Sequence, residues 1–129
     1  MENKLVLVDT SILIDFFRKT DKENSVLVKL VKQDYRYCIS AVTQYEIYTG
    51  TTLAQEKFWK TFLNKTNVLP FDWKVADMAV IINRDLKKKR KLIDIADLFI
   101  GATALTHSIP IATLNESHFN RIDNLKLVY

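Results

Sequence analysis

Asp9, Glu46 and Asp97 are the residues of this sequence whose placement most invites chemistry. Asp9 follows Lys4-Leu5-Val6-Leu7-Val8 and precedes Thr10-Ser11, so a carboxylate and two hydroxyls gather at the end of a short apolar run. Such a run is the pattern of a strand buried in a parallel sheet. Ligands of open α/β sheets bind beyond the carboxyl ends of the strands. Thr10 and Ser11 also suit the cap of a helix over Ile12–Phe17. Asp9 therefore reads either as a ligand-facing carboxylate or as part of a helix start, and its position at a strand end favours the first. Glu46 lies one helical turn after Val42 and shares its inward face, although Thr43-x-x-Glu46 also matches a capping box. Asp97 falls in the first turn of an otherwise apolar helical stretch, where the helix dipole stabilises a negative charge by about 0.3–1 kcal/mol. Asp94, three residues earlier, reads as the cap of that helix.

Three carboxylates converging on one pocket would repel each other and raise one another's pKa values unless a cation neutralised them. A ligand set made only of oxygen suits a hard divalent ion, Mg²⁺ or Mn²⁺, rather than zinc. Such an ion can orient water and stabilise the charge that builds on a phosphoryl group. The acids are far apart along the chain, so only the fold can join them.

Other chemistries find less support. Haloacid-dehalogenase-type phosphatases share an Asp after a strand but need a second Asp two residues on, where this chain has Ser11. With Gly50 and Gly101 as its two glycines, the chain has no glycine-rich phosphate loop. His107 and His118 are the two histidines and no Cys–His cluster accompanies them, which argues against structural zinc. His118 reads as an exposed loop residue rather than a substrate neighbour. The single cysteine, Cys38, lies in Tyr37-Cys38-Ile39 and reads as a small core residue in a protein of a reducing compartment.

The elements that must position these residues follow from hydrophobic periodicity. The 129 residues are expected to form one domain, 1–129, burying about two-thirds of the surface of the unfolded chain. β-like segments are expected at Lys4–Val8, Tyr37–Ile39, Asn67–Leu69, Ile109–Ala112 and Lys126–Val128. Between them lie helical patterns. Val26, Leu27, Leu30 and Val31 form one stripe. Thr52 and Gln55 make a capping box for a helix carrying Phe58, Trp59, Phe62 and Leu63, with Gly50 closing the helix before it. Asp72 can cap a helix with Val75, Ala79, Ile82 and Leu86 at helical spacing. Asp94 can cap another, with Ile95, Leu98, Phe99, Ala102 and Leu105 on its inner face. Short strands alternating with helices imply βαβ units and a three-layer α/β/α domain around a mostly parallel sheet of about five short strands.

The net charge of +4 is compatible with a polyanionic partner without demanding one. Its densest cluster, Lys87–Lys91, closes a helical pattern, where cations complement the helix dipole; a solvated helix end and phosphate contact both remain open. The N-terminal apolar run is interrupted by Asp9 and Asp15 and lacks a small-residue cleavage site, and no stretch reaches the length of a membrane span. A cytoplasmic location is the expectation.

The ordered set of motifs resembles a PIN domain, above all the VapC-type toxin ribonucleases of toxin–antitoxin pairs. It comprises Val8-Asp9-Thr10-Ser11-x-x-Ile14-Asp15, Glu46 followed by Gly50, Asp97-Leu98-Phe99-Ile100-Gly101-Ala102-Thr103-Ala104-Leu105-x-His107, and Ile111-Ala112-Thr113-x-Asn115-x-x-His118-Phe119. The resemblance runs over nearly the whole chain. It implies a Mg²⁺- or Mn²⁺-dependent endoribonuclease whose acidic triad is Asp9, Glu46 and Asp97, with Asp9 and Asp97 as chief metal ligands and Ser11 and Thr113 lining the site. Asn115 falls where many such domains carry a fourth acid, and it adds no charge. Gly101 stands where Ala is commoner, a packing change expected to be minor. By the same resemblance Arg18, Lys19, Arg84 or the Lys87–Lys91 run would track an RNA backbone. The chain would pair with a cognate antitoxin and form a homodimer, for which the Phe58–Phe62 region offers apolar surface. Tyr45 and Tyr48 could stack on bases, but core packing is the favoured role. The alternative is a PIN-like module that binds nucleic acid or protein without appreciable cleavage.

Overall fold

Alternation along the first strand sorts the core into two sides. In the computed structural model, which describes residues 4–129, β1 (Lys4–Val8) sends Leu7 to one side and Val6 and Val8 to the other, all fully buried. β2 (Tyr35–Ser40) and β4 (Ile111–Ala112) split the same way: Cys38 and Ile111 join Leu7, while Ile39 and Ala112 join Val6 and Val8. With β3 (Asn67–Leu69) they form an all-parallel sheet in the order β3-β2-β1-β4. The Leu7 side is covered by α5 (Trp73–Lys88), α6 (Ile95–Thr106) and the short α7 (Glu116–Phe119), through Val75, Leu86, Leu98, Ala102 and Phe119. The opposite side is covered by α1 (Thr10–Arg18), α2 (Val26–Lys32), α3 (Ala41–Thr49) and α4 (Leu53–Asn64), through Ile12, Leu27, Ile47 and Trp59. These are the three α/β/α layers expected from the sequence.

The chain steps from β1 to β2 to β3 in one direction, then returns to lay β4 on the other flank of β1. This reversal opens a crevice beyond the carboxyl ends of β1 and β4, the usual ligand position of such sheets. Asp9 follows β1 and Thr113 follows β4, so the topology itself brings them together.

Four strands, not about five, make the sheet among the described residues. Lys126–Val128 contributes one parallel bridge, Leu127 to Ile111, because its partner strand offers two residues to pair with. That strand starts at Ile111 rather than Ile109, just after Pro110, which has no N–H to give a ladder. β2 is longer than expected at both ends.

Several caps hold as read. Asp72 accepts from Val75 N at 3.1 Å, and the Thr52–Gln55 box closes the start of α4. Others differ. The α1 cap is Asp9 itself, whose Oδ1 accepts from Ile12 N at 3.3 Å, rather than Thr10 or Ser11. The α3 cap is Ser40, accepting from Thr43 N at 3.1 Å, so the Thr43–Glu46 box does not form and Glu46 is released for other contacts. Asp94 stands at the N-cap of α6 without a side-chain capping bond. α6 is also buried more widely than its expected face: Ile95 is 63% exposed, while Ile100, Gly101, Thr103 and Ala104 are buried. A helix enclosed on most sides has no single apolar stripe to read. Val31 and Phe58 likewise end on the surface. Tyr45 and Tyr48 are exposed too, which overturns the core reading for both.

With so few glycines, helix ends use other residues in the left-handed region: Asp34, Arg90 and Ser108 all have positive φ. At Arg90 the turn is closed by Arg90 N to Lys87 O and Lys91 N to Leu86 O, the hydrogen-bond pair of a Schellman stop. Part of the Lys87–Lys91 run is thus structural, and Lys89 is held between Asp85 and Asp123 at 2.8 Å each. Cys38 is fully buried and its thiol is pushed up to about 11 by burial, which keeps it protonated and bears out its core role.

At Gly101, where the packing change was expected to be minor, the space for a side chain is tight. A Cβ built there would lie 2.6 Å from Ile122 Cδ1, inside the buried packing of α6 against the C-terminal segment. Gly101→Ala gains helix propensity of about 1 kcal/mol, but overpacking a core costs about 1–3 kcal/mol. The expected result is a net loss of stability in urea denaturation, recovered when Ile122→Val removes the Cδ1 methyl in the same chain. A more stable Gly101→Ala single variant would contradict this packing.

Candidate active site

Asp9 is the centre of the crevice and is 3% exposed. Two hydroxyls hold it. Ser11 Oγ donates to Oδ1 at 2.5 Å and Thr113 Oγ1 donates to Oδ2 at 2.5 Å. Each hydroxyl in turn accepts a backbone N–H from the loop after β4, Leu114 N to Ser11 at 3.0 Å and Asn115 N to Thr113 at 2.8 Å. The loop is thereby stitched to the carboxylate from both sides. Oδ1 also accepts from Ile12 N, while Oδ2 keeps a spare lone pair, since each carboxylate oxygen can accept two bonds.

Burial raises the Asp9 carboxyl above its ordinary range, outweighing those three hydrogen bonds, and the charge of Asp97 raises it further. The fold thus holds a desolvated carboxylate near a second one that repels it. Asp97, in the first turn of α6, is half-buried. Its Oδ2 accepts from Asn115 Nδ2 at 3.2 Å and lies 2.7 Å from His118 Nδ1. Its Oδ1 accepts no hydrogen bond among the described residues.

Glu46 is near but not joined to this pair. Thr10 Oγ1 donates to Glu46 Oε1 at 2.6 Å and sits 3.2 Å from Thr43 Oγ1. The single hydroxyl hydrogen of Thr10 goes to the carboxylate, so the buried Thr43 is the donor between the two hydroxyls. Glu46 is therefore linked to Asp9 through the neighbouring residue Thr10. Among the described residues no three His, Cys, Asp or Glu side chains gather closely enough to hold a metal ion as placed.

Of the residues singled out from the sequence, Asp9, Ser11, Thr113, Asn115 and Asp97 meet in one crevice, with Glu46 at its margin. Asp15 does not take part: its Oδ2 accepts from Val26 N at 3.0 Å and ties α1 to the start of α2. His118 was expected in an exposed loop, yet it is half-buried on α7 with Asp97 as its partner. Thr10 and Thr43 were not expected to position an acid. Two cues were present, the fixed spacing of His118 from Asn115 and the position of Thr10 beside Asp9, but neither names its partner.

The donors fit a hard divalent cation in kind. All are oxygens, at least one spare acceptor site remains on each of Asp9 and Asp97, and a cation would relieve the burial and repulsion that raise Asp9. Mg²⁺ commonly takes one or two carboxylates and fills its shell with water, which suits this pair.

Comparison with known proteins places this crevice in a lineage. Ribonuclease VapC1 of Methanocaldococcus jannaschii is 32% identical over 98% of this chain and 87% of its own length. Toxin FitB of Neisseria gonorrhoeae is 30% identical over 92% of this chain and 94% of its own. DNA-bound VapBC from Salmonella typhimurium has a chain that superposes with a TM-score of 0.83 at 23% identity, covering 98% of this chain and 97% of that one, which shows the shared fold. The family model described as the PIN domain matches residues 6–125, from the middle of β1 past the buried C-terminal Ile122. Acid-bearing strand end, switch-point crevice and the α6–α7 wall all lie inside that match, and the chain belongs to the PIN domain family.

Proposed function

We propose that this chain is an endoribonuclease that hydrolyses RNA phosphodiester bonds, acting as the toxin of a toxin–antitoxin pair. The observation that carries the reading is the pair Asp9 and Asp97: one carboxylate desolvated at the sheet's switch point, the other close enough to raise it, each with an unused acceptor site. Two such groups in a structural role would be a liability. As a cation site they are preorganised.

Mg²⁺ or Mn²⁺ is the cofactor of this reading, held by Asp9 and Asp97, and it would supply charge neutralisation for the phosphoryl group and activation of water. The chain's own residues do the rest. Ser11 and Thr113 fix the Asp9 carboxylate and prevent it from turning into solvent. Thr10 and Thr43 fix Glu46 at the margin, where its free carboxylate oxygen can orient water or take a proton. Exposed Arg18 lines both the cleft beside Glu46 and the one beside Ser11 and Leu114, so it and Lys19 can meet phosphates entering on that side. Past His118, Arg90, Lys91 and Arg121 line another cleft with Ser117 and Asn120 and no acidic side chain. Arg84 instead lines an apolar cleft between α5 and α6, and Lys89 is committed to its aspartates. Exposed Tyr45 remains available for base stacking.

A cognate antitoxin and a homodimer belong to the same reading. Solved structures of the same fold include VapBC-1 from nontypeable Haemophilus influenzae and a toxin–antitoxin complex from Klebsiella pneumoniae. The apolar surface around Phe71, Trp73, Ile81 and Ile95, and the groove of Tyr37, Phe58 and Phe62, give two separate faces for such partners. Among the described residues no helix is long and apolar enough to cross a membrane.

The test is to incubate the purified chain with a mixed set of structured and single-stranded RNAs, with Mg²⁺ or Mn²⁺ and then with excess chelator. Cleavage that needs the ion is the expected result. Undiminished cleavage in chelator would remove the metal. Binding without cleavage over all RNAs would remove the nuclease and leave a binding module.

A further inference from the structure

We propose that His118 is a positioning residue for Asp97, holding Oδ2 of that carboxylate so that Oδ1 is left as the free acceptor facing the site's cation. The inference rests on the reading of Asp97 as a metal ligand. The two groups are 2.7 Å apart, the length of a charge-assisted hydrogen bond. The tautomer follows from the neighbours. Asn115 Nδ2 lies 2.9 Å from the same ring nitrogen, and both a lone pair and a proton cannot serve there at once. An ionised Asp97 has no hydrogen to give, so Nδ1 carries the proton and donates to Oδ2. The Asn115 amide donates to the same Oδ2 at 3.2 Å, from a position beside the ring nitrogen. Both donors crowd Oδ2 and none reaches Oδ1, which leaves Oδ1 as the open oxygen of the carboxylate.

The ring is delivered by a rigid unit. α7 is four residues long, yet Phe119, next to His118, is fully buried beneath α6. The segment's start is tied to Asp9's own hydroxyl partner through Asn115 N to Thr113 Oγ1. His118 therefore has little freedom to leave Asp97. Fixing a carboxylate in this way is the general task of groups behind metal ligands, and losing one typically weakens metal affinity about 10–100-fold. Asn115 alone, an uncharged amide at longer range, is the weaker half of the clamp.

Full-length variants separate this role from simple packing. His118→Asn places an amide Nδ2 where the imidazole has Nδ1, both one bond from Cγ, whereas His118→Gln moves the amide one bond farther out. Mn²⁺ affinity is measured by calorimetry and by the metal-induced rise in melting temperature, beside RNA cleavage and the metal-free melting temperature. His118→Ala is expected to weaken Mn²⁺ binding about 10–100-fold with little change in metal-free melting temperature; His118→Asn recovers most of the affinity and His118→Gln does not. Unchanged Mn²⁺ affinity in His118→Ala overturns the proposal, as does equal behaviour of the Ala, Asn and Gln variants. Asp97→Asn is the control. If it loses Mn²⁺ while His118→Ala does not, the positioning role fails and the metal site stands; if Asp97→Asn binds Mn²⁺ like the native chain, both fall.

Discussion

Asp9→Asn is expected to lower RNA cleavage by on the order of 10²–10³-fold or more, the scale of losing a charge-stabilising group, while making the metal-free protein more stable at neutral pH. The two effects share one cause. Asn keeps the shape and some of the hydrogen bonds to Ser11, Ile12 and Thr113 but removes the desolvated charge and its repulsion with Asp97. The pH dependence has a definite sign. A carboxyl raised in the folded state binds its proton more tightly there than in the unfolded chain, so its contribution favours folding below the unfolded value of about 3.8 and is lost as pH rises through the folded-state value. The stability advantage of Asp9→Asn should therefore be smallest below pH about 3.8 and grow as pH increases. Urea denaturation in chelator across that range reads it directly. A native protein that gains stability over Asp9→Asn with rising pH would contradict the burial argument. Added Mn²⁺ should narrow the gap at neutral pH, because the cation stabilises the native form alone.

Phe119→Ala should have the largest effect on folding. The ring is fully buried, adjoins the space over Gly101 and packs in the cluster with Leu98, Ile122 and Leu125. Truncating such a ring costs about 3–5 kcal/mol, a large share of the 5–15 kcal/mol typical of a domain. It also frees α7, so cleavage should fall beyond what destabilisation alone explains, because Asn115 and His118 lose their anchor beside Asp97. Phe119→Leu should restore most of the stability. Chemical denaturation within about 1 kcal/mol of the native chain for Phe119→Ala would show that α7 is not held by this contact.

The residues with catalytic potential were legible because chemistry restricts residue types. A strand end followed by Asp-Thr-Ser is a local pattern, and β1 forms as read, with Asp9 buried behind it. Helices with a clear periodic face, such as the one carrying Val75, Ala79, Ile82 and Leu86, were equally plain, since each of those residues is buried. Where burial is not one-sided, the pattern misled: α6 is enclosed on most of its circumference, and α3 exposes Tyr45 and Tyr48. Caps were ambiguous wherever two hydroxyl residues within one turn compete, as Ser40 and Thr43 do.

By itself the sequence determined which groups are available: oxygen donors without a cysteine or histidine cluster, a strand to present the first of them, and the alternation that gives three layers. Which of those groups meet was decided only in three dimensions. The reversal of strand order lays the end of β4 beside the end of β1 and brings Thr113 to Asp9 across 104 positions of chain. Burial of Phe119 carries His118 to Asp97, while Glu46 is diverted to Thr10. Local propensity acts over a few residues, whereas contacts between distant ones depend on how whole layers pack, and no short motif encodes that.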